Sequence, residues 1–140
     1  MIRGRRLAFD YGDVRIGVAI SDPDCILASP LKVLRTQDAQ LQKEISALLS
    51  EYAPVKIFVG LPMNMSGSEG ESAGKARLFV NFLSTLTDTP IELLDERLST
   101  VTAASKLRES GMNSKDSKEL IDAMAAVEIL EAGLVRERNI

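Results

Sequence analysis

The order of apolar segments along the chain constrains its fold more than any other feature. Three extended segments come first, at residues 6–10, 14–21 and 26–34, and a turn at 11–13 joins the first two into a hairpin. Beyond them, helical and extended patterns alternate. Hairpin-linked strands followed by alternating helices and strands predict an α/β protein. Its mixed five-stranded sheet should carry helices on both faces.

The remaining elements follow from periodicity and from turn residues. Helices are predicted at about 38–53, 72–86, 99–111 and 116–134, and strands at 55–59 and 91–94. Asp38 is expected to cap the first helix, and Gly60 is expected to end the strand before it. Pro30 should weaken or bend the third strand, because proline removes a hydrogen-bond donor from the ladder.

Length and composition limit the organisation of the chain. Its 140 residues, of which 45% are hydrophobic and 26% charged, suit one globular domain spanning residues 1–140. No apolar stretch approaches the roughly 18 residues that a membrane helix requires. The apolar part of the N-terminus breaks at Asp10, too early for a signal peptide. We therefore expect a soluble, cytoplasmic protein without a membrane partner.

The absence of histidine excludes whole classes of catalysis. There is no histidine and only one cysteine, Cys25, so Ser-His-Asp and Cys-His catalysis, intrachain disulfides and cysteine-based zinc sites are all excluded. Cys25 lies beside Asp22 and Asp24, an acidic setting that disfavours a thiolate, so a small buried or edge residue is expected. Carboxylates remain, and they suit hard ions. If the chain is an enzyme, a Mg²⁺ or Mn²⁺ site is the leading option.

Three carboxylates occupy positions that suit such a site. Asp10 ends the first strand and Glu96 follows the last, so both would lie at one edge if these strands run parallel. Asp122 interrupts the apolar run LIDAMAAV of the last helix, where an isolated buried carboxylate needs a cation or hydrogen-bond donors. Three converging carboxylates repel one another unless metal neutralises them. Two ions about 3.5–4 Å apart would then activate water against a phosphodiester.

Each carboxylate also has an ordinary structural explanation. Asp10 fits a turn aspartate, and Glu96 fits a solvated surface charge. Asp122 would suit the N-terminal part of a helix, where an acidic side chain complements the helix dipole. The spacing alone leaves these alternatives open.

Five segments, in order along nearly the whole chain, resemble the motifs of the YqgF-type (RuvX) family. They are LAFDYGDVRIGVAIS, FVGLPMNMSGSEG, KARLF, LLDERLST and IDAMAAVEIL. Members of this family are bacterial nucleases related to Holliday junction resolvases and are also described as pre-16S ribosomal RNA nucleases. The resemblance implies an RNase H-like fold and a cytoplasmic, metal-dependent endonuclease that processes the 5′ end of the small-subunit ribosomal RNA precursor.

The resemblance also implies roles for particular residues. The acidic motif positions fall on Asp10, Glu96 and Asp122, as catalytic residues and as ligands of Mg²⁺ or Mn²⁺. Asp95 precedes Glu96 in the same motif and is kept as an alternate or supporting ligand. Four further motif positions are expected to contact backbone phosphate, and they are Arg15, Asn64, Arg77 and Arg97.

Other functions remain open from the sequence. A four-way DNA junction resolvase would use the same acidic residues and would be expected to act as a symmetric homodimer. A non-catalytic RNA-binding or ribosome-assembly module would keep the fold without the chemistry. The first hairpin also resembles the phosphate loop of actin-like ATPases, but these require two domains. The net charge of −3 means that nucleic-acid binding has to come from a local basic patch.

Overall fold

The computed structural model of the protein describes residues 2–98 and 114–139. Within them the chain forms a sheet, three α-helices and one 3-10 turn. The elements are β1 (Arg6–Tyr11), β2 (Arg15–Ser21), β3 (Ala28–Arg35), α1 (Leu41–Tyr52), β4 (Lys56–Leu61), α2 (Glu71–Ser84), β5 (Ile91–Asp95), the 3-10 turn (Glu96–Leu98) and α3 (Ser114–Arg138). The helix predicted at 99–111 lies outside the described residues.

The sheet has five strands in the order β3-β2-β1-β4-β5. The pairs β1–β2 and β2–β3 are antiparallel, whereas β1–β4 and β4–β5 are parallel. The predicted mixed sheet is therefore confirmed. Because β1, β4 and β5 are parallel, their C-terminal ends lie at one edge of the sheet, which we call the carboxyl edge. The first residue of β2, Arg15, lies there too.

Side chains alternate between two packed faces of the sheet, as the pleat requires. Phe9, Ile16 and Val59 belong to the core formed with α1 and α2, on what we call the α1–α2 face. Ala8, Ala19 and Phe58 belong to the core formed with α3, on the α3 face. Helices on both faces were predicted and are confirmed. The predicted apolar stripe of α1 also faces the core, with Ile45 and Leu48 buried and Leu41 and Leu49 packed against it.

Several boundaries differ from the prediction. Asp38 does not cap α1. Its carboxylate accepts a hydrogen bond from the backbone N–H of Gln40 at 2.8 Å, and the helix begins at Leu41 without a side-chain cap. Tyr11 belongs to β1 and not to the turn, because its ring packs against Phe79 and its backbone pairs with Ile16. Gly60 does not end β4, since it pairs with Leu94 and the strand continues to Leu61.

Other expectations are confirmed in outline. β3 is an edge strand, and its pairing with β2 shifts register near Pro30. Cys25 is a buried free cysteine. α3 begins before the predicted position, so that Asp122 lies in its third turn. Among the described helices, none combines the length and the apolar character needed to cross a membrane.

Candidate active site

Asp10 lies at the carboxyl edge on the α3 face, between two glycines. Its neighbour Phe9 faces α1 and α2, so the alternation of β1 turns Asp10 to the opposite side. On β2 its cross-strand partner is Gly17. On β4 the next residue after Val59, the partner of Phe9, is Gly60. The strands on both sides of Asp10 therefore carry no side chain at this level.

Gly60 gives Glu96 a path to Asp10. β4 separates β1 from β5, so the side chain of Glu96 has to cross β4 to reach β1. A Cβ atom on Gly60 would lie 2.5 Å from Glu96 Oε1 and 3.1 Å from Glu96 Cγ, which shows that Glu96 lies directly over this glycine. The carboxyl groups of Glu96 and Asp10 are hydrogen-bonded. The expectation that Asp10 and Glu96 lie near each other holds in the structure.

Gly17 has the corresponding role on the other side of Asp10. A Cβ atom there would overlap the carbonyl oxygen of Asp122 and lie 2.6 Å from its carbonyl carbon. The backbone of α3 at Asp122 thus contacts β2 directly. This close approach brings the third carboxylate near the other two, and its negative charge contributes to the electrostatics of Asp10.

The protonation of Asp10 and Glu96 reflects their crowding. Burial raises the pKa of Asp10 to about 8, and the charge of Glu96, its hydrogen bond and the charge of Asp122 act in the same direction. Burial also raises the pKa of Glu96, although the hydrogen bond with Asp10 opposes that shift. Without a cation, the pair therefore holds a proton between its two carboxyl groups near neutral pH.

Asp122 has a different partner. Its Oδ2 accepts a hydrogen bond from Arg15 Nε at 2.5 Å, and both side chains are about three-quarters buried, with exposed fractions of 24% and 23%. Within residues 2–98 and 114–139, no three acidic or sulfur side chains cluster closely enough to hold one metal ion. Asp10 and Glu96 are together, and Asp122 lies beside them but is turned to Arg15.

The donor chemistry nevertheless fits a hard divalent cation. All three side chains offer carboxylate oxygen, the ligand type that Mg²⁺ and Mn²⁺ prefer. A shared proton and the Arg15 guanidinium offset the negative charge, and a divalent cation would do so more effectively. Asp10, Glu96 and Asp122 are therefore the residues that could hold a metal at this edge.

Asp95 lies on the other side of the sheet from Glu96. Asp95 pairs with Leu61, which packs against α2, whereas Glu96, the first residue of the 3-10 turn, lies over Gly60 beside Ile129 of α3. The carboxylate of Asp95 accepts hydrogen bonds from Arg97 at 2.6 and 3.0 Å. Arg97 lowers the pKa of Asp95 through these bonds. The structure thus separates the two adjacent acids, which the sequence left as alternates.

The four residues predicted to contact phosphate all lie along the carboxyl edge. Arg15 is bound to Asp122. The other three surround the loop at 62–70 after β4. Asn64 donates to Ser68, Arg77 forms two hydrogen bonds with Glu69 at 2.6 and 2.7 Å, and Arg97 approaches Gly67.

The ion pairs of Arg77 with Glu69 and of Arg97 with Asp95 are partly exposed to solvent. Ion pairs in contact with water are weak, because the solvent screens the two charges. The cations are therefore available at the edge, although each is paired locally in the structure.

Sequence reasoning missed Gly17 and Gly60. Glycine inside a strand often marks a close approach of another part of the protein, and this signal was present in RIGVAIS and KIFVGL. The sequence could not show what approaches, because that depends on the strand order and on the position of α3.

Comparison with known proteins gives three kinds of similarity. The family model described as "RuvX: Holliday junction resolvase" matches residues 4–136. A relative from Streptomyces coelicolor, named "Putative pre-16S rRNA nuclease", is 46% identical over 140 residues, covering 99% of this chain and 84% of its own. A protein of the same name from Rhodococcus erythropolis is 48% identical over 143 residues, covering 98% and 80%.

Solved structures show a similar fold. Thermus thermophilus RuvC in complex with a Holliday junction substrate matches with a TM-score of 0.51 and 14% identity, covering 97% of this chain and 96% of that one. A second RuvC structure from the same organism gives 0.51 and 15%, with 96% of each chain covered. At this level of identity the match shows the fold alone, and the predicted RNase H-like arrangement is confirmed.

Proposed function

The chain belongs to the RuvX family, and on that premise we propose that it is a nuclease that hydrolyses phosphodiester bonds at the carboxyl edge of its sheet. One observation carries the location of the chemistry: Glu96 crosses β4 over Gly60 to meet Asp10. Burying two carboxyl groups in contact is costly for folding, because at most one of them can readily ionise. A site that retains such a pair is a candidate for catalysis.

We assign Asp10, Glu96 and Asp122 as the catalytic carboxylates and as the residues that would hold Mg²⁺ or Mn²⁺. When bound, such an ion lowers the pKa of water and stabilises the leaving oxygen of a phosphodiester. The buried Asp10–Glu96 pair must release its shared proton before both carboxylates can act as ligands. Their affinity for a divalent cation should therefore increase as the pH rises toward the pKa of Asp10, about 8.

In this mechanism Arg15 can bind either Asp122 or a substrate phosphate. In the structure it neutralises Asp122. If Asp122 binds a cation, the guanidinium becomes free to contact a substrate phosphate, which it can bind through two parallel hydrogen bonds. The neighbouring phosphates would be bound around the loop at 62–70, by Asn64, Arg77 and Arg97.

The substrate we propose is the precursor of the small-subunit ribosomal RNA, cleaved near its 5′ end in the cytoplasm. The names of the most similar curated relatives support this choice. Because the net charge is −3, the attraction for RNA would have to come from the local cations at the carboxyl edge. Binding should weaken steeply as salt concentration rises, because phosphate contacts release counterions.

A Holliday junction is the second candidate substrate, because the matching family model is described as a Holliday junction resolvase. Two symmetric cuts in a four-way junction require two active sites, so this function would need a homodimer. A non-catalytic RNA-binding module would need neither the dimer nor the buried carboxyl pair.

The test compares cleavage of precursor ribosomal RNA, single-stranded RNA and a four-way DNA junction in Mg²⁺, Mn²⁺ and EDTA. Asp10→Asn serves as the inactive variant, and Asp88→Asn, an exposed aspartate between α2 and β5 at the opposite edge of the sheet, serves as its matched control. We expect metal-dependent cleavage of the precursor RNA, lost by orders of magnitude in Asp10→Asn and retained in Asp88→Asn. Equal cleavage by Asp10→Asn would contradict the assignment. Tight RNA binding without any cleavage would favour the non-catalytic module.

A further inference from the structure

A cavity of about 260 Å³ opens on the α1–α2 face, close to the carboxyl edge. It lies between the end of β1, the segment before α1 and the side of α2. We call it the aromatic pocket. The lining residues on which the argument depends are Tyr11, Gln37, Lys75, Leu78, Phe79 and Phe82. None of them belongs to the site described above.

Three aromatic rings line one side of the aromatic pocket. The rings of Tyr11 and Phe79 have centroids 5.1 Å apart and an interplanar angle of 37°, and those of Phe79 and Phe82 are 6.2 Å apart at 32°. Leu78 lines the same pocket, with 67% of its surface exposed. An aromatic wall with an exposed apolar rim suits a planar ring, which would bury the rim on binding.

Polar groups at the pocket suit a nucleotide more than an apolar side chain. Gln37 is exposed and forms no hydrogen bond with any residue the structure describes, so its amide is available to the edge of a base. Lys75 contacts Asp13 at 3.0 Å and Glu71 at 3.6 Å. These contacts are on the solvent side, where a phosphate can compete with them.

The position of the pocket connects it to the catalytic carboxylates. Tyr11 follows Asp10 directly in β1, about 3.3 Å further along the strand, and faces the opposite side of the sheet. A strand of nucleic acid that crosses the carboxyl edge would pass both residues. Its phosphate would approach Asp10, and the base of a nearby nucleotide would reach Tyr11.

We propose that the aromatic pocket binds one unpaired nucleobase of the RNA substrate, next to the phosphate that is cleaved. The inference rests on the proposed nuclease function. Bases stack on aromatic side chains whatever their sequence, so the pocket would favour single-stranded over paired RNA without specifying a particular base. It would thereby select unpaired positions of a precursor RNA for cleavage.

The test measures binding of a short single-stranded RNA to the Asp10→Asn protein by fluorescence anisotropy. The bases are removed one position at a time by abasic substitution. In the otherwise unaltered protein, we expect one position at which the abasic nucleotide weakens binding by about tenfold. Phe82→Leu and Leu78→Asn should reduce this position-specific loss to about twofold or less.

Two features keep the result interpretable. Leu78 is exposed, so Leu78→Asn should fold normally even if Phe82→Leu does not. Leu27, 64% exposed in the β2–β3 connection at the opposite edge of the sheet, provides the matched control Leu27→Asn, which should keep the full base dependence. Equal weakening at every abasic position, or a position-specific loss that persists in both pocket variants, would overturn the proposal. A dimer that Leu78→Asn dissociates would also overturn it and would make the pocket a contact between copies.

Cleavage by the protein with Asp10 intact separates this proposal from the proposed function. If the protein cleaves RNA without any base dependence, the pocket assignment fails and the nuclease stands. If binding depends on one base but no RNA is cleaved, the pocket stands and the nuclease assignment fails.

Discussion

The side chain of Glu96 lies over Gly60, with its Oε1 only 2.5 Å from the point that a Cβ atom on Gly60 would occupy. This contact joins the ends of β5 and β1 across the strand between them. It makes the two carboxyl groups one hydrogen-bonded unit. The proposed chemistry therefore depends on a residue that has no functional group of its own.

Gly60→Ala should reduce cleavage far more than it reduces stability. The added methyl group would meet the flexible ends of Glu96 and Ile129, which can move aside, so we expect a loss of about 1–3 kcal/mol in the free energy of unfolding. Displacing Glu96 by even about 1 Å should lower the cleavage rate about 100-fold.

Gly74→Ala is the control, because nothing lies within 4 Å of a Cβ atom at this helical position. It should stabilise α2 slightly and leave cleavage unchanged. Urea unfolding and single-turnover cleavage measure the two effects. The role of Gly60 would be contradicted if Gly60→Ala destabilised the protein while the fraction that stays folded cleaved RNA at the unaltered rate.

Gly17→Ala should be the more destabilising of the two glycine substitutions. The obstacle is the backbone of α3 at Asp122, which cannot rotate away, so the helix has to move as a unit. We expect a lower midpoint of urea unfolding than for Gly60→Ala. The reverse order would show that α3 adjusts more easily than the Glu96 side chain.

The carboxyl pair should make the metal-free protein less stable as the pH rises. The folded-state pKa of Asp10 is about 8, above its ordinary value of 3.8, so the folded protein holds a proton that the unfolded chain releases. The stability linked to this group is complete below pH 4 and is lost as the pH rises through 8. Asp10→Asn should not show this loss. Its free energy of unfolding at pH 9 should exceed that of the unaltered protein by roughly a few kcal/mol.

Urea unfolding in EDTA between pH 4 and 9 measures this difference. Mg²⁺ should restore stability to the unaltered protein at high pH but have little effect on Asp10→Asn. Parallel pH curves for the two proteins would show that Asp10 is not protonated in the folded state.

Arg15→Gln should separate metal binding from catalysis. Removing a positive charge next to Asp122 should tighten Mg²⁺ binding, measured by calorimetry, because the cation no longer competes with the guanidinium. Cleavage at saturating Mg²⁺ should nevertheless fall, because a phosphate contact is lost. Weaker Mg²⁺ binding would mean that Arg15 supports the carboxylates instead of competing with a metal.

The sequence predicts the chemical character of the site better than its geometry. The absence of histidine left carboxylates as the available catalytic groups, and an aspartate inside the apolar run of the last helix marked Asp122. The paths of the side chains were not predictable. β4 lies between the strands that lead to Asp10 and Glu96, and Glu96 can cross it only because β4 has a glycine at this level. The sequence does not show this arrangement, because strand order is a property of the whole sheet.

The same limit explains the errors at element boundaries. Tyr11 extends β1 because its ring packs against Phe79, a residue more than sixty positions away in the chain. Gly60 stays in β4 because β5 pairs beyond it. The residues Gly12 and Asp13 after Tyr11, and Gly60 with Pro62, favour turns, but tertiary packing extends both strands.

The adjacent acids at the end of β5 provide the most direct test of the central claim, that cleavage depends on the Asp10–Glu96 pair on the α3 face. The measurement is the single-turnover rate of precursor RNA cleavage by Glu96→Gln and Asp95→Asn at saturating metal. The two changes remove one charge each from neighbouring residues that face opposite sides of the sheet. We predict that Glu96→Gln lowers the rate by about 100-fold or more, whereas Asp95→Asn lowers it by less than about fivefold. Equal effects, or a larger effect of Asp95→Asn, would contradict the account.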